Sequence, residues 1–181
     1  MSLSGKKIAF LVADEGVEQI ELTDPWQAVQ KEGGRPVLVV GSDSPTVQGF
    51  NHLDKADTFD ADLSVDRAGV EDYDGLVLPG GVANPDALRT NPQAVTFVKA
   101  FLDAGKPVAA ICHAPWTLIE ADAVRGRTLT SWPSLRTDLG NAGAQWVDQE
   151  VVVDTKGPGP LITSRRPDDL PAFSKALAEA F

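Results

Sequence analysis

Apolar runs of strand length alternate with stretches of helical period along most of this chain, and that alternation confines it to an α/β fold on a largely parallel sheet. The first strand runs from Lys7 to Ala13. A helix follows from Glu18 to Lys31, with Ile20, Leu22, Trp26 and Val29 as apolar contacts and Gly33-Gly34 beyond its end. Arg35 to Gly41 carries Val37-Leu-Val-Val40, a continuous apolar stretch suited to a strand covered on both faces. Pro45 to Ala68 is polar and rich in turn formers, and reads as a small hairpin. Asp74 to Leu78 is another central strand, ending in Pro79-Gly80-Gly81. Asn91-Pro92 opens a helix whose Val95, Val98, Phe101 and Leu102 fall at helical spacing, and Gly105 closes it. Lys106 to Ile111 reads as a buried strand, and Ala114 to Ala121 as the helix after it.

Thr128 to Trp132 is a further short strand, and Ser134 to Asn141 a helix. Gln145 to Asp154 pairs with Leu161 to Ser164 across the Lys156-Gly-Pro-Gly-Pro160 turn. Asp168-Asp169 caps a final amphipathic helix through Phe173, Leu177 and Phe181. No internal repeat or interdomain linker interrupts the pattern, so residues 1–181 are read as one domain with Met1 to Gly5 as a flexible leader.

Charge and composition exclude several classes of function. The 16 Lys and Arg residues stand against 26 Asp and Glu, and a net charge of −10 repels a nucleic-acid backbone. No apolar run approaches the roughly 18 to 20 residues that span a bilayer. The first strand meets Asp14 and Glu15 too soon to be the core of a signal peptide, which points to the cytoplasm. One cysteine and two histidines are too few for a structural zinc site, and neither a Walker loop nor a Gly-x-Gly-x-x-Gly loop is present.

The single cysteine, Cys112, falls on the strand-to-helix turn directly before His113. Such an elbow lifts a side chain above the sheet, where unpaired N–H groups of the new helix favour a thiolate. In open α/β sheets the reactive crevice lies beyond the carboxyl ends of the strands, and three loops could converge there: Asp14 to Glu21, Pro79 to Asp86, and Cys112-His113. Glu18 and Glu21 lie three apart at a helix start, so both carboxylates can face one side of the first turn and one could reach the thiol. Gly80 and Gly81 could offer backbone N–H groups to an oxyanion. Asp86 is one carboxylate that could fix the tautomer of His113. His52 reads as a surface residue.

Gly16-Val-Glu-Gln-Ile-Glu-Leu22 with Pro25, Leu78-Pro-Gly-Gly81, Ala110-Ile-Cys-His-Ala-Pro115, Arg125-Gly-Arg127, Thr130-Ser-Trp-Pro133 and Asn141-Ala-Gly143 with Trp146-Val-Asp148 together resemble the PfpI family. That family lies within the superfamily that also holds the human Parkinson-associated deglycase and the class I glutamine amidotransferases. The resemblance implies a flavodoxin-like three-layer sandwich, with Cys112 on a nucleophile elbow and Glu21 bonded to its thiol. Glu18 would line the same pocket. It further implies oxyanion donors at Gly81 and Ala114, a pocket position at Trp132, and a Cys112-His113-Asp86 triad completed by a neighbouring subunit of a dimer or trimer of dimers. Relatives often have glutamate at position 86, tyrosine at 132 and glycine at 114.

The function so implied is stress protection by nucleophilic attack on reactive carbonyls or glycated protein, with no cofactor and no metal. Two alternatives are an intracellular cysteine peptidase that uses the shared triad, and a redox sensor or chaperone without turnover. A glutamine amidotransferase would need a histidine far downstream of the cysteine, and none follows His113.

Overall fold

A computed structural model describes residues 2–181, and Met1 lies outside the described residues. In chain order the elements are β1 (Lys7–Val12), β2 (Glu15–Glu18), α1 (Gln19–Lys31), β3 (Arg35–Val40), β4 (Thr46–Asn51), β5 (Asp54–Asp60), β6 (Leu63–Ser64) and β7 (Gly75–Leu78). They continue with α2 (Ala83–Arg89), α3 (Pro92–Asp103), β8 (Val108–Ile111), α4 (Pro115–Glu120), β9 (Thr128–Leu129), α5 (Arg136–Asn141), β10 (Gln145–Trp146), β11 (Val151–Asp154), β12 (Leu161–Ser164) and α6 (Leu170–Ala180).

Seven strands form the central sheet in the order β11-β12-β8-β7-β1-β3-β6. Every pair is parallel except β11 with β12. The two-residue period of a strand sorts side chains between two layers. Ala9 and Leu11 of β1, with Val108 and Ala110 of β8, join a core with Leu88, Phe97, Phe101 and Leu118 from α2, α3 and α4. Ile8, Phe10 and Val12, with Ala109 and Ile111, face the other way onto Leu22 and Val29 of α1 and Phe173 and Leu177 of α6. Helices on both faces of a mostly parallel sheet make the expected flavodoxin-like sandwich. Among the described residues no helix is long and apolar enough to cross a membrane.

Several local expectations change. Glu15–Glu18 is a strand paired with β4, so α1 begins at Gln19 rather than Glu18. The hairpin between Pro45 and Ala68 is present as β4 and β5. The segment read as one strand from Gln145 to Asp154 is two, and Thr128 to Trp132 shrinks to β9. Asp169 occupies the cap position of α6 but makes no cap bond, because its carboxylate turns back to the guanidinium of Arg165 at 2.8 Å and 2.9 Å. Within the segment read as a leader, Leu3 is fully buried and its N–H donates to the Glu32 carbonyl.

From β1 the chain crosses to β3 and β6 on one side, then returns to β7, β8 and β12 on the other. A crevice opens where the crossovers diverge, beyond the carboxyl ends of β1 and β7. The loops after β1, β7 and β8 all end there.

Candidate active site

Cys112 follows the last residue of β8 with φ of 63°, a left-handed conformation that strains a residue bearing a Cβ. Two main-chain hydrogen bonds hold it there. Its N–H donates to the Ser164 carbonyl at 3.0 Å, and its carbonyl accepts from the Trp132 N–H at 2.8 Å. The elbow therefore takes its shape from β12 and from the loop after β9, not from the turn alone.

Glu21 sits in the first turn of α1, fully buried, and aims at the sulfur. Gly80 is the spacer between them. A Cβ on Gly80 would collide with Glu21 Oε2 and stand 2.6 Å from the Cβ of Cys112, so no other residue lets acid and thiol approach. Gly81 has φ of 84°, and a Cβ there would run into the Gly16 carbonyl. Neither carboxylate oxygen of Glu21 has a partner of regular hydrogen-bond geometry, although the thiol and the N–H groups of Gly80 and Gly81 lie near enough to favour its charged form. Burial outweighs them. Helped by the charge of Glu18, it lifts the Glu21 carboxyl to a pKa of about 8.

The thiolate expected at the elbow is not what this environment favours. Burial raises the pKa of Cys112, and charge on Glu21 raises it further, while N–H groups of Gly81 and His113 pull the other way. A carboxyl with a pKa near 8 holds its proton at neutral pH, which removes its repulsion of a thiolate. The desolvation cost remains, so Cys112 rests as a thiol between a neutral acid and a neutral base. That base is His113, whose Nδ1 lies 3.1 Å from Sγ. Burial lowers the imidazole to a pKa of about 4, so it is uncharged at neutral pH. Its ring stacks on Trp132 at 5.5 Å and 22°, with Trp116 at 5.2 Å on a tilted plane.

Cys112, His113, Glu21, Glu18, Gly81, Asp86 and Trp132 line one cavity of about 970 Å³, and Gly80 lies just beneath it. Glu18 is half-buried, and its carboxylate accepts from the His52 N–H at 3.0 Å. Asp86 is exposed on α2 and, among the described residues, has no hydrogen bond to His113. Ala114 differs from its expected role, because its N–H donates to the Ile111 carbonyl at 3.1 Å. The N–H of His113 instead joins that of Gly81 beside the sulfur.

Sequence reasoning missed several contributors. Asn84 is completely buried, accepts from the Ala13 N–H at 2.7 Å and donates to the Pro79 and Gly80 carbonyls at 2.9 Å each. It ties the loop after β1 to the loop after β7, and nothing local to an Asn-Pro step announces such a role. Trp116 was legible in principle, since it lies one helical turn beyond His113. His52 is exposed as expected, yet with Phe50 and Leu53 it forms the cavity rim supplied by the β4–β5 hairpin.

Comparison with known proteins places the chain among characterised relatives. The chain is 44% identical over 170 residues, 94% of each protein, to the protein/nucleic acid deglycase 2 of Escherichia coli. It is 42% identical over 171 residues, 94% of this chain and 95% of the relative, to general stress protein 18 of Bacillus subtilis. Among solved structures, a two-domain protein of Anabaena variabilis with DJ-1/ThiJ/PfpI-like and ferritin-like domains superposes with a TM-score of 0.86 at 36% identity. The match covers 96% of this chain and 49% of that one. The sequence model of one family matches residues 6–180 and thus takes in elbow, spacer glycines and buried acid alike: the chain belongs to the DJ-1/PfpI family.

Proposed function

We propose that this protein protects against carbonyl stress by turning over reactive dicarbonyls, or the adducts they leave on other molecules, through Cys112. The observation that carries the reading is the Glu21 carboxyl, held against the only thiol at a pKa of about 8. An acid poised near working pH can both give and take a proton, which is what moving hydrogen between adjacent carbons requires. The naming of relatives as a deglycase and a general stress protein supports the same reading.

With methylglyoxal the steps balance without an oxidant or cofactor. The Cys112 sulfur bonds to the aldehyde carbon as its proton passes to His113 Nδ1. The carbonyl π pair moves onto oxygen, which faces the Gly81 and His113 N–H groups and takes a proton from Glu21. Ionised Glu21 then removes the hydrogen of the former aldehyde carbon as a proton while the neighbouring carbonyl oxygen takes the proton held by His113, giving an enediol. Glu21 returns its proton to that neighbouring carbon and takes the hydroxyl proton of the former aldehyde carbon as its carbonyl re-forms, leaving a lactoyl thioester with Glu21 protonated and His113 neutral. Water cleaves that thioester to lactate and the free thiol. A carbinolamine on a protein is the same carbonyl in masked form. The cavity suits a neutral dicarbonyl, since four carboxyl groups and no lysine or arginine line it among the described residues.

Replacing the nucleophile tests the proposal. Cys112→Ser should cut lactate formation from methylglyoxal to below about a thousandth of the wild-type rate, with the melting temperature nearly unchanged. Unchanged lactate output would overturn it.

A peptidase reading draws on the exposed position of Asp86, whose carboxylate has no partner among the described residues, beside the exposed Val82 and Leu53. In that reading a second copy presents Asp86 to His113. Peptide hydrolysis should then vanish on dilution to a verified monomer, and persistence would dismiss the shared triad.

A further inference from the structure

At the far end of β8 from Cys112, where Gly105 meets Pro158, lies a second cavity of about 360 Å³. Its character is opposite to that of the first. Lys99, Arg125, Arg127 and Lys156 line it together with Asp103 and Asp122. In a chain with ten more acidic than basic side chains, a gathering of four cations needs a reason.

The pairing inside the cluster shows which charges remain free. Lys99 is joined to Asp103 at 3.1 Å. Lys156 Nζ has only a hydroxyl partner, Thr128 Oγ1 at 3.1 Å, and Arg125 has no carboxylate partner among the described residues. Arg127 is held from below. Its side chain is only 6% exposed, its Nε faces Asp154 Oδ1 at 3.2 Å, and its Nη2 donates to the Gly159 carbonyl at 2.5 Å. Nη1 is buried with no partner. The guanidinium packs directly under Gly157, where a Cβ would collide with Nη2, so the 156–160 loop and Arg127 fix each other's positions. A buried N–H donor left unmatched costs its full desolvation, which an incoming oxygen would repay.

We propose that this cavity binds a phosphate group, either as inorganic phosphate or as a small phosphomonoester. Arg127 supplies the fixed donor at its back, and the exposed Arg125 and Lys156 close on the ligand from two different loops. A tetrahedral dianion can take donors from three cationic side chains that line one cavity, and planar guanidinium forks bind phosphate oxygens in pairs. The site stands apart from the cysteine chemistry, and its test needs no turnover.

Titration calorimetry on the full chain at constant ionic strength, with sodium chloride as the reference salt, should give one saturable site for inorganic phosphate or for glycerol 3-phosphate. Binding of both, or of phosphate alone, identifies the free ion as a sufficient ligand. Binding of glycerol 3-phosphate alone identifies an organic phosphate. Arg125→Gln/Lys156→Gln keeps the buried Arg127 in place and should weaken binding by at least about tenfold. Failure of both probes to bind the wild type would overturn the proposal. Equal affinity in the wild type and in a double variant of unchanged melting temperature would overturn it too. Should that variant melt early, Lys156→Gln alone serves, with at least about a threefold loss expected and no loss fatal to the proposal.

Discussion

Two buried groups of ionisable side chains lie at opposite ends of the same parallel strands, and they are built on opposite plans. At the amino end Arg127 and Asp154 face each other, and Asp154 also accepts from the main-chain N–H groups of Thr128 and Lys156 at 2.9 Å and 3.0 Å. At the carboxyl end Glu21 and Cys112 are both acids, with a third acid, Glu18, close enough to be felt. Opposite charges brought together out of water hold each other ionised. Like acids cannot, so one keeps its proton and becomes available for transfer. Burial alone therefore does not separate a structural charge from a chemical one; the sign of the neighbour does.

The largest test breaks the structural plan. Arg127→Met leaves the Asp154 carboxylate buried without its cation and should destabilise by about 3–5 kcal/mol, read as a lower denaturant midpoint. Adding Asp154→Asn should recover part of that loss, because the remaining group is neutral and still accepts hydrogen bonds. Full stability in the single variant would show that the pair does not hold this end together.

A smaller effect tests the chemical plan through pH. Glu21 binds its proton more tightly folded than unfolded, so its contribution is complete below about pH 4.5 and is lost as pH rises toward about 8. His113, lowered to about 4, acts in the opposite sense between about pH 4 and 6.5, where acid destabilises. The two nearly cancel up to about pH 6.5. From pH 6.5 to 8 only Glu21 titrates, so the wild type should lose about 2 kcal/mol relative to Glu21→Gln. Parallel stability curves over that interval would mean that Glu21 is ionised throughout.

The smallest effect sharpens the comparison. Glu18 raises the pKa of Glu21 by its charge, as the third cause after burial and the thiol contact in size. Glu18→Gln should therefore move the Glu21-dependent limb of the rate profile to lower pH by a few tenths of a unit, with little change in stability. A shift upward, or none, would show that water screens the two acids from each other.

What could be read from the sequence was what depends on local pattern. The central strands show because Val37 to Val40 and Val108 to Ile111 are apolar without interruption. The elbow shows because a strand, a cysteine and Ala114-Pro115 follow in order. What could not be read depends on partners distant in the chain. β2 exists because the hairpin strand β4 lies beside it, and α2 is only seven residues long with Pro85 inside it. The protonation of Cys112 departs from the local expectation for the same reason. N–H groups near a helix start are a local feature, whereas Glu21, which adds to the effect of burial on the thiol, comes from α1, ninety-one positions before the sulfur.

Because the backbone of Cys112 is bonded to Ser164 and Trp132, the direction in which the sulfur points is decided by segments that come after it in synthesis. A graft of residues 110–115 onto another scaffold would carry the nucleophile but not its aim. Conversely, drift along β12 could silence this centre without altering any group that meets a substrate.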